Sequence, residues 1–174
     1  MNIEYNNITL RALEPADVEM LYKWENTLES WHVSNLHAPI SKHNLQRYIE
    51  ASHRDVWESK ELRLIIENEK KEAAGTIELF DFEPYHSRAG IGIMIYETNE
   101  RRKGLALNAL ETMELYARNE LGLAQLYANI SATNRASLKL FEKAGYQITG
   151  TKTKWIRTPF GWEDEYLLQK WINS

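Results

Sequence analysis

The stretch "TNERRKGLALNALETM" (residues 98–113) places three cations and a glycine directly ahead of an apolar run with helical spacing. Ala106, Leu110 and Met113 recur at intervals of four and three, so one stripe of the predicted helix faces a core. A helix start presents unpaired backbone N–H groups and the positive end of the helix dipole, and both attract anions. The stretch therefore predicts either a solvated turn or a phosphate-binding turn at the start of a long helix.

The segments on either side favour the phosphate-binding turn. The strand "RAGIGIMIY" (residues 88–96) comes before it, and its glycines leave one face of the strand nearly bare of side chains. Another molecule can therefore approach the backbone there. The strand "AQLYANIS" (residues 124–131) follows the helix, and Asn134 then caps a helix that ends at Gly145.

The rest of the chain completes a mixed α/β pattern. A strand near residues 8–13 leads into a helix that begins at Pro15, and Ser41 caps a second helix. The segments "ELRLIIEN" and "EAAGTIELFDF" alternate apolar and polar residues as strands do. The last two strands, "YQITGTKTKWIR" and "WEDEYLLQKW", are joined by the turn "TPFG", which predicts a hairpin. The pattern therefore predicts one mixed sheet with helices packed against it.

Composition limits the function classes. The 174 residues, 43% of them hydrophobic, can bury one core, so we expect a single domain over residues 1–174. A net charge of -4 argues against nucleic acid as a partner, and no apolar run is long enough to cross a membrane. The protein is therefore expected to be cytoplasmic. With no cysteine and no close pair among five histidines, we expect neither a thiolate nucleophile nor a metal site.

Two ordered motifs carry a family resemblance. "RRKGLA" (residues 101–106) matches the pattern Arg/Gln-x-x-Gly-x-Gly/Ala, and "NRASLKLFEKAGY" (residues 134–146) follows the next strand. In these residues the sequence resembles the GNAT superfamily of acetyl-CoA-dependent N-acetyltransferases, and the resemblance covers almost the whole chain. It implies an α/β fold with a mixed, largely antiparallel central sheet of about six or seven strands, flanked by about four helices. "ITLRALEPAD" and "GTKTKWIRTPFGWEDEYLL" look most like the branch of spermidine or diamine acetyltransferases and ribosomal-protein N-terminal acetyltransferases.

The resemblance implies a site for acetyl-CoA as co-substrate and no metal. In the family, the segment like "RRKGLA" binds the CoA pyrophosphate, the strand like "GIMI" pairs its backbone with the pantetheine arm, and the helix like "NRASLKLFEKAGY" flanks that arm. Carried over residue by residue, the predicted acetyl-CoA site consists of the backbone N–H groups of Ile93, Met94 and Ile95, together with Arg101, Arg102, Lys103, Gly104, Leu105, Ala106, Asn134 and Lys143.

Glu78 in "GTIELFDF" is the predicted general base. Transfer to a primary amine needs a group that removes a proton, because the amine is mostly protonated at neutral pH. By alternation Glu78 points away from Ile77 and Leu79, and it lies one strand from the predicted CoA strand, where partial burial would raise its pKa. The alternative is a glutamate on the face of the strand that only pairs with a cation.

The position that corresponds to the family's general acid carries a different residue in this sequence. Many relatives carry a tyrosine that protonates the leaving thiolate at the position of Phe141, and a phenyl ring has no proton to give. Ser137, one turn earlier, could deliver a proton through its hydroxyl or a water, although it could equally well close the helix cap with Asn134. Tyr146 is read as a packing residue, and a proton from solvent is also acceptable.

Carboxylates near the expected amine entrance predict the acceptor. Glu29 and Asp81, with Glu83, could attract a cationic amine, or they could simply be solvated. Trp31 lies in a loop that forms a wall of the acceptor pocket in the family, and a cation could lie on its ring. A small-molecule amine, namely a polyamine or diamine such as spermidine, is the first expectation. A peptide N-terminus, for example of a ribosomal protein, is the alternative, and a catalytically weak acyl-CoA-binding module and a homo-oligomer stay open.

Overall fold

One eight-stranded sheet organises the residues that the computed structural model describes, 2–27 and 38–173. The strand order is β1-β2-β3-β4-β5-β6-β8-β7, and every neighbouring pair is antiparallel except β5 and β6. The predicted class, an α/β fold around a largely antiparallel sheet, is confirmed. The sheet has one strand more than predicted. The additional strand is β1, whose three residues are too few to show alternation. The strands are β1 (Ile3–Tyr5), β2 (Ile8–Ala12), β3 (Glu61–Glu67), β4 (Ala73–Glu83), β5 (Arg88–Ile95), β6 (Gln125–Ser131), β7 (Gln147–Thr158) and β8 (Gly161–Trp171).

Five α-helices lie in the described part of the chain. Ser41 caps α2 by accepting a hydrogen bond from the Asn44 backbone at 3.1 Å, as predicted. The segment that begins at Pro15 starts as a 3₁₀ turn, so α1 begins three residues later than expected. The single-turn helix α3 is the one not anticipated, and Asp55 caps it. The helices are α1 (Val18–Glu25), α2 (Lys42–Ala51), α3 (Val56–Ser59), α4 (Leu105–Asn119) and α5 (Arg135–Lys143).

The two faces of the sheet pack against different helices. Ile65 of β3 is buried in a cluster with Leu21 of α1 and Leu45 of α2. Its neighbours along the strand, Leu64 and Ile66, point to the opposite face and join the larger core that includes α4. A polar side chain that shares a face with Ile65 therefore lies under α1 and α2, between sheet and helices.

Strands β5 and β6 pair only at their first residues. The parallel ladder joins Arg88 to Gln125, Ala89 to Leu126 and Gly90 to Tyr127, and it stops there although both strands continue. We call the space between residues 91–95 of β5 and 128–131 of β6 the strand gap. It is an interior place where a strand edge has no protein partner across from it among the described residues.

The β7–β8 hairpin extends past the rest of the sheet. The β6–β8 ladder ends at Ser131 and Glu165, whereas β7 and β8 stay paired as far as Thr158 and Gly161. The end of this ribbon carries three exposed aromatic side chains, and we call these residues the hairpin tip. They are Trp155 (60% exposed), Phe160 (100%) and Trp162 (60%).

Candidate functional site

The backbone of β5 presents alternate residues to the strand gap. The Tyr96 N–H donates to the Ala74 carbonyl at 3.0 Å, so the even-numbered residues of β5 hydrogen-bond to β4 and the odd-numbered ones face the other way. The Ile95 carbonyl also points away from β4, since it accepts a hydrogen bond from Arg101 Nε at 2.9 Å on the side of the gap. The N–H groups of Ile93 and Ile95 therefore point into the gap. The Met94 N–H, which was predicted with them, points to the ladder with β4, so a backbone contact between Met94 and the pantetheine arm stays a prediction.

The predicted phosphate-binding turn lies at the start of α4. Gly104 is the N-cap with φ +86°, and no side chain caps the first turn of the helix. Leu105 is buried and anchors the helix start in the core, and the small Ala106 follows it. A Cβ at Gly104 would meet no atom within 4 Å, so glycine is required there by backbone conformation and not by space. The amides at this helix start are therefore available to an anion.

The three cations of the turn have different surroundings. Arg101 is half-buried and tied to the Ile95 carbonyl, which joins the turn to the end of β5. Arg102 is exposed in a left-handed conformation, φ +64°. Lys103 is exposed and pairs with Glu100 at 3.2 Å. Arg102 and Lys103 thus extend toward solvent, where they can meet a phosphate, while Arg101 shapes the turn.

The α5 residues fall at opposite ends of the helix. Asn134 Oδ1 accepts a hydrogen bond from the Ser137 N–H at 3.1 Å, so the Asn134 side chain serves as the cap. The Ser137 hydroxyl is half-buried and has no hydrogen-bond partner among the described residues. Lys143 lies in the last turn, which at 1.5 Å per residue is about 12 Å from Arg135. Lys143 thus lies at the opposite end of α5 from Asn134, and its contact with the nucleotide stays a prediction.

Glu78 lies where β5 leaves β6. Its register partners are Arg63 on β3 and Gly92 on β5. A Cβ at Gly92 would lie 3.0 Å from Glu78 Oε1, so the carboxylate covers the glycine at the edge of the strand gap. Burial raises the pKa of Glu78, Arg63 opposes that shift, and Glu61 and Glu25 add to it. A half-buried carboxyl with a raised pKa next to an open backbone edge has the properties of a general base.

Two further carboxylates and one arginine lie around Glu78. The Arg63 guanidinium contacts the buried Glu25 carboxylate, which also accepts a hydrogen bond from the Tyr96 hydroxyl at 3.1 Å. Glu61 accepts a hydrogen bond from Tyr48 at 2.5 Å. We call Glu25, Glu61, Glu78 and Arg63 the acidic cluster. One cation stands against three carboxylates there.

Sequence reasoning found only Glu78 of the acidic cluster. The available signal was Arg63, which shares a strand face with the buried Ile65 and is therefore a cation that alternation places inside. A cation on a buried face requires an anionic partner, but only the tertiary structure shows that Glu25 supplies it.

An aromatic pair closes one side of this region. The rings of Trp24 on α1 and Tyr96 after β5 stack at 4.7 Å with an interplanar angle of 3°. Trp24 Nε1 donates to Glu97 at 3.0 Å, which fixes the ring. The pair joins α1 to the end of β5 beside the carboxylate of Glu25.

Two other predicted acceptor carboxylates, Asp81 and Glu83, lie at a bulge of β4. Asp81 is in a bulge of β4 with φ +50°, is exposed, and accepts a hydrogen bond from Tyr127 at 3.4 Å. It is three residues from Glu78, about 10 Å along a strand, toward the paired end of β5 and β6. Glu83 lies beyond the same bulge. Glu29 and Trp31 lie outside the described residues.

The two aromatic residues of the second motif pack in the core. Phe141 and Tyr146 are both buried, and their rings meet edge to face at 4.9 Å. Burial and the nearby Glu114 of α4 raise the pKa of Tyr146. Tyr146 keeps its proton in this position and packs as expected.

Metal sites and membrane-spanning helices are both absent from the described residues. No group of three or more His, Asp or Glu side chains among them is arranged to hold a metal ion. No helix in ranges 2–27 and 38–173 is long and apolar enough to cross a membrane.

Known proteins share this architecture. The family model described as "Acetyltransferase (GNAT) domain" matches residues 7–147. The SPbeta prophage-derived uncharacterized N-acetyltransferase YokL of Bacillus subtilis (strain 168) is 26% identical over 158 residues, 91% of this chain and 86% of that protein. The spermidine N(1)-acetyltransferase of Vibrio cholerae serotype O1 is 22% identical over 141 residues, 81% of this chain and 79% of that protein.

Solved structures of a Vibrio cholerae spermidine N-acetyltransferase have the same fold. One, in complex with CoA and spermine, superposes with a TM-score of 0.85 at 20% identity and covers 96% of both chains. Another, described as dodecameric, superposes with a TM-score of 0.78 at 22% identity and covers 97% of this chain and 95% of that one. At these identities the likeness establishes the fold.

Proposed function

The chain belongs to the GNAT acetyltransferase family and is an acyltransferase, and from that premise we propose that it moves an acetyl group from acetyl-CoA to a primary amine of a polyamine or diamine such as spermidine. The observation that carries the proposal is the position of Glu78, which covers Gly92 at the edge of the strand gap. It puts a carboxyl with a raised pKa beside the backbone that an acyl donor would pair with.

Acetyl-CoA fits the strand gap and the turn that follows it. The Ile93 and Ile95 N–H groups can pair with the amides of the pantetheine arm, as a neighbouring strand would. The uncapped start of α4 at Gly104, with Arg102 and Lys103 beside it, suits the pyrophosphate.

The chain can supply both proton transfers of a direct reaction. Glu78 accepts a proton from the substrate ammonium, the amine nitrogen then bonds to the thioester carbonyl carbon, and the C–S bond breaks. The nitrogen of the tetrahedral intermediate still carries one extra proton, and this proton passes to the departing thiolate through the Ser137 hydroxyl or a water, so Ser137 ends the reaction neutral. Phe141 has no exchangeable proton to contribute. No covalent enzyme intermediate is required.

The acidic cluster supports a polycation as the acceptor. Its three carboxylates exceed its one cation, and a second ammonium is attracted where negative charge is in excess. The relative described as a spermidine N(1)-acetyltransferase supports the same class of acceptor. Glu29, Trp31 and Asp81 remain proposed contacts for the distal part of the amine.

A protein N-terminus, such as that of a ribosomal protein, is the second candidate acceptor. The observation that favours it is the hairpin tip, since clustered exposed aromatic residues often mark a protein contact. The same surface favours a homo-oligomer, in keeping with the dodecameric assembly of the structural relative. A single domain over residues 1–174 and a cytoplasmic location complete the proposal.

The proposal is tested by CoA release with spermidine, putrescine and a set of N-terminal peptides at low salt. A polyamine should have the highest kcat/KM. A peptide that exceeds every polyamine tenfold, about 1.4 kcal/mol of transition-state preference, would overturn the acceptor assignment. Absence of turnover with every amine, with acetyl-CoA still bound, would favour the catalytically weak binding module.

A pair of glycine variants tests the acetyl-CoA site separately. Gly104 and Gly122 both have positive φ, and a Cβ at either meets nothing within 4 Å. Valine strains both backbones in the same way, so Gly122→Val is the matched control. Only Gly104→Val should raise KM for acetyl-CoA, by about tenfold, with KM for the amine little changed. Equal effects from the two variants would contradict the placement of the pyrophosphate.

A further inference from the structure

An arginine and a glutamate that face each other across two strands do not pair. Arg63 of β3 and Glu78 of β4 are direct register partners, a position in which opposite charges usually interact. The Arg63 guanidinium instead contacts Glu25 of α1, and its Nη2 also donates to Thr76 at 3.3 Å. No cation of the described residues lies within the 4.0 Å ion-pair distance of Glu78.

The buried Glu25 carboxylate is the group that draws Arg63 aside. Glu25 is only 4% exposed, and its Oε1 meets both Arg63 and the Tyr96 hydroxyl. Tyr96 is held in turn by its stack on Trp24. The arrangement fixes the Glu25 carboxylate of α1 against the Arg63 guanidinium, which makes its ion pair there and not with Glu78.

We infer that Glu25 is a positioning residue: it holds the Arg63 guanidinium away from Glu78, which leaves Glu78 unpaired for proton transfer and cancels a positive charge that would repel a polyamine. This inference rests on the proposed function and concerns the same site. It assigns to Glu25 a part in selecting an acceptor with more than one ammonium group.

The groups that face Glu78 come from four elements. Arg63 and Glu61 come from β3, Glu25 from α1, Tyr48 from α2 through its hydrogen bond to Glu61, and Tyr96 follows β5. Arg63 is the only cation among these described groups. Without the negative charge of Glu25, the nearest carboxylate across the strands is Glu78, and an ion pair there would lower its pKa.

The test is Glu25→Gln, with kcat/KM measured against pH for spermidine and for propylamine. The acidic limb of the profile should move to lower pH, because Arg63 then stabilises ionised Glu78. KM for spermidine should rise at least about tenfold and that for propylamine less than about threefold, since the uncompensated cation repels the second ammonium. Glu50→Gln, on the exposed side of α2, is the control and should change neither. An unmoved limb together with an unchanged ratio of KM values would overturn the inference.

A second variant and a direct titration keep the test decisive if Glu25→Gln folds poorly. The double variant Glu25→Gln/Arg63→Met removes the cation together with its partner. The acidic limb of its kcat/KM profile should therefore lie at the wild-type pH or higher. Carbon-13 NMR titration of the Glu78 carboxyl should show the downward shift in Glu25→Gln and its reversal in the double variant. If wild type acetylates no amine, the proposed function fails, and the titration still decides whether Glu25 controls Arg63. A Glu78 titration identical in all three proteins would refute that control.

Discussion

Two charge clusters, each with a buried carboxylate, lie on opposite faces of the same sheet, and they are balanced differently. The acidic cluster lies under α1 and α2 and has three carboxylates for one arginine. On the other face, Lys170 of β8 meets Glu114 of α4 at 2.5 Å and the Ala144 carbonyl at 2.6 Å, beside Tyr146. We call Glu114, Tyr146 and Lys170 the lysine cluster. In the lysine cluster the single carboxylate, Glu114, is paired with the single cation, Lys170.

The comparison distinguishes the acidic cluster, which has more carboxylates than cations, from the lysine cluster, in which an ion pair joins two elements of the fold. Burial raises the pKa of both Glu78 and Glu114, so a shifted pKa does not distinguish them. The two carboxylates differ in their ion-pair partners. Glu114 pairs with Lys170, whereas the cation opposite Glu78, Arg63, pairs with Glu25. A partly buried carboxylate that has no cation of its own is unfavourable for folding and is typical of functional sites, whereas a carboxylate that is paired with a cation joins two elements of the fold.

The largest effect is expected from Glu78→Gln. Loss of a general base should lower kcat at neutral pH by about 10³-fold, roughly 4 kcal/mol, with KM for acetyl-CoA unchanged. The variant should not unfold more easily at pH 7. Because the folded-state pKa of Glu78 is raised, ionisation opposes folding above its ordinary pKa, and glutamine removes that opposition.

Steady-state rates and thermal unfolding at pH 4 and pH 7 check both parts of this prediction. Any gain in stability should shrink at pH 4, where the unfolded chain also binds the proton. Glu50→Gln serves as the exposed control. An acidic limb that persists unchanged in Glu78→Gln would remove Glu78 from the role of base.

Lys170→Met should have the opposite effect to Glu78→Gln, because it should lower stability and not activity. It leaves Glu114 buried without its cation, which is expected to cost about 3 kcal/mol of unfolding free energy at pH 7, a fall of roughly 6–12 °C in Tm. Because the pKa of Glu114 is already raised by burial, the defect should shrink as pH falls and Glu114 protonates. Below Tm, KM for the amine should not change.

The double variant Lys170→Met/Glu114→Gln is the control for that prediction. It should recover most of the lost stability, because neither charge remains. Calorimetry of the three proteins makes the comparison. A lowered kcat with normal Tm in Lys170→Met would mean that the lysine cluster also serves the reaction.

Gly92→Ala should have a smaller effect, confined to the acidic cluster. The new Cβ would lie 3.0 Å from Glu78 Oε1, so the carboxylate must move aside by a few tenths of an ångström. We expect kcat to fall about three- to tenfold, up to about 1.4 kcal/mol, with little change in Tm. Gly150→Ala in β7 is the matched control, since its Cβ would meet Leu167 at an ordinary 3.7 Å. Equal kcat values for the two variants would argue against the placement of Glu78.

Tyr146→Phe should have the smallest effect. The buried Tyr146 hydroxyl and Glu114 Oε1 complete no hydrogen bond within the described residues, so removing the hydroxyl should alter stability by less than about 1 kcal/mol. The kcat should stay within about twofold of wild type. A large loss of kcat with an intact fold would make Tyr146 the missing acid in place of Ser137, and rates with acetyl-CoA and spermidine distinguish these outcomes.

Much of the fold could be predicted because its signals are local. Alternation gave the seven longer strands, Ser41 and Asn134 gave two caps, and Gly104 gave the start of α4. Each depends on a few consecutive residues. Strand β1 and helix α3 were missed, since elements of three and four residues hold less than one period of pattern.

The site was less predictable because it depends on register and partners. Alternation placed Glu78 on the face opposite Ile77 and Leu79, but it could not show that Met94 turns its N–H to β4. The bulge that moves Asp81 is likewise a property of pairing. The Glu25–Arg63 contact spans 38 residues of sequence, which no short pattern records.

The strand gap makes hydrogen exchange a direct reporter of ligand binding. The Ile93 and Ile95 amides lie mid-sheet, yet their N–H groups face away from β4 toward the gap, so they should exchange with solvent far faster than the neighbouring Met94 amide. A donor that occupies the gap would act as a ninth strand and protect these two amides together. By linkage it would also stabilise the whole sheet, by about 2.7 kcal/mol at a ligand concentration of 100 Kd. The proposed donor site is thus a part of the sheet whose amides would be protected from exchange only while a donor is bound.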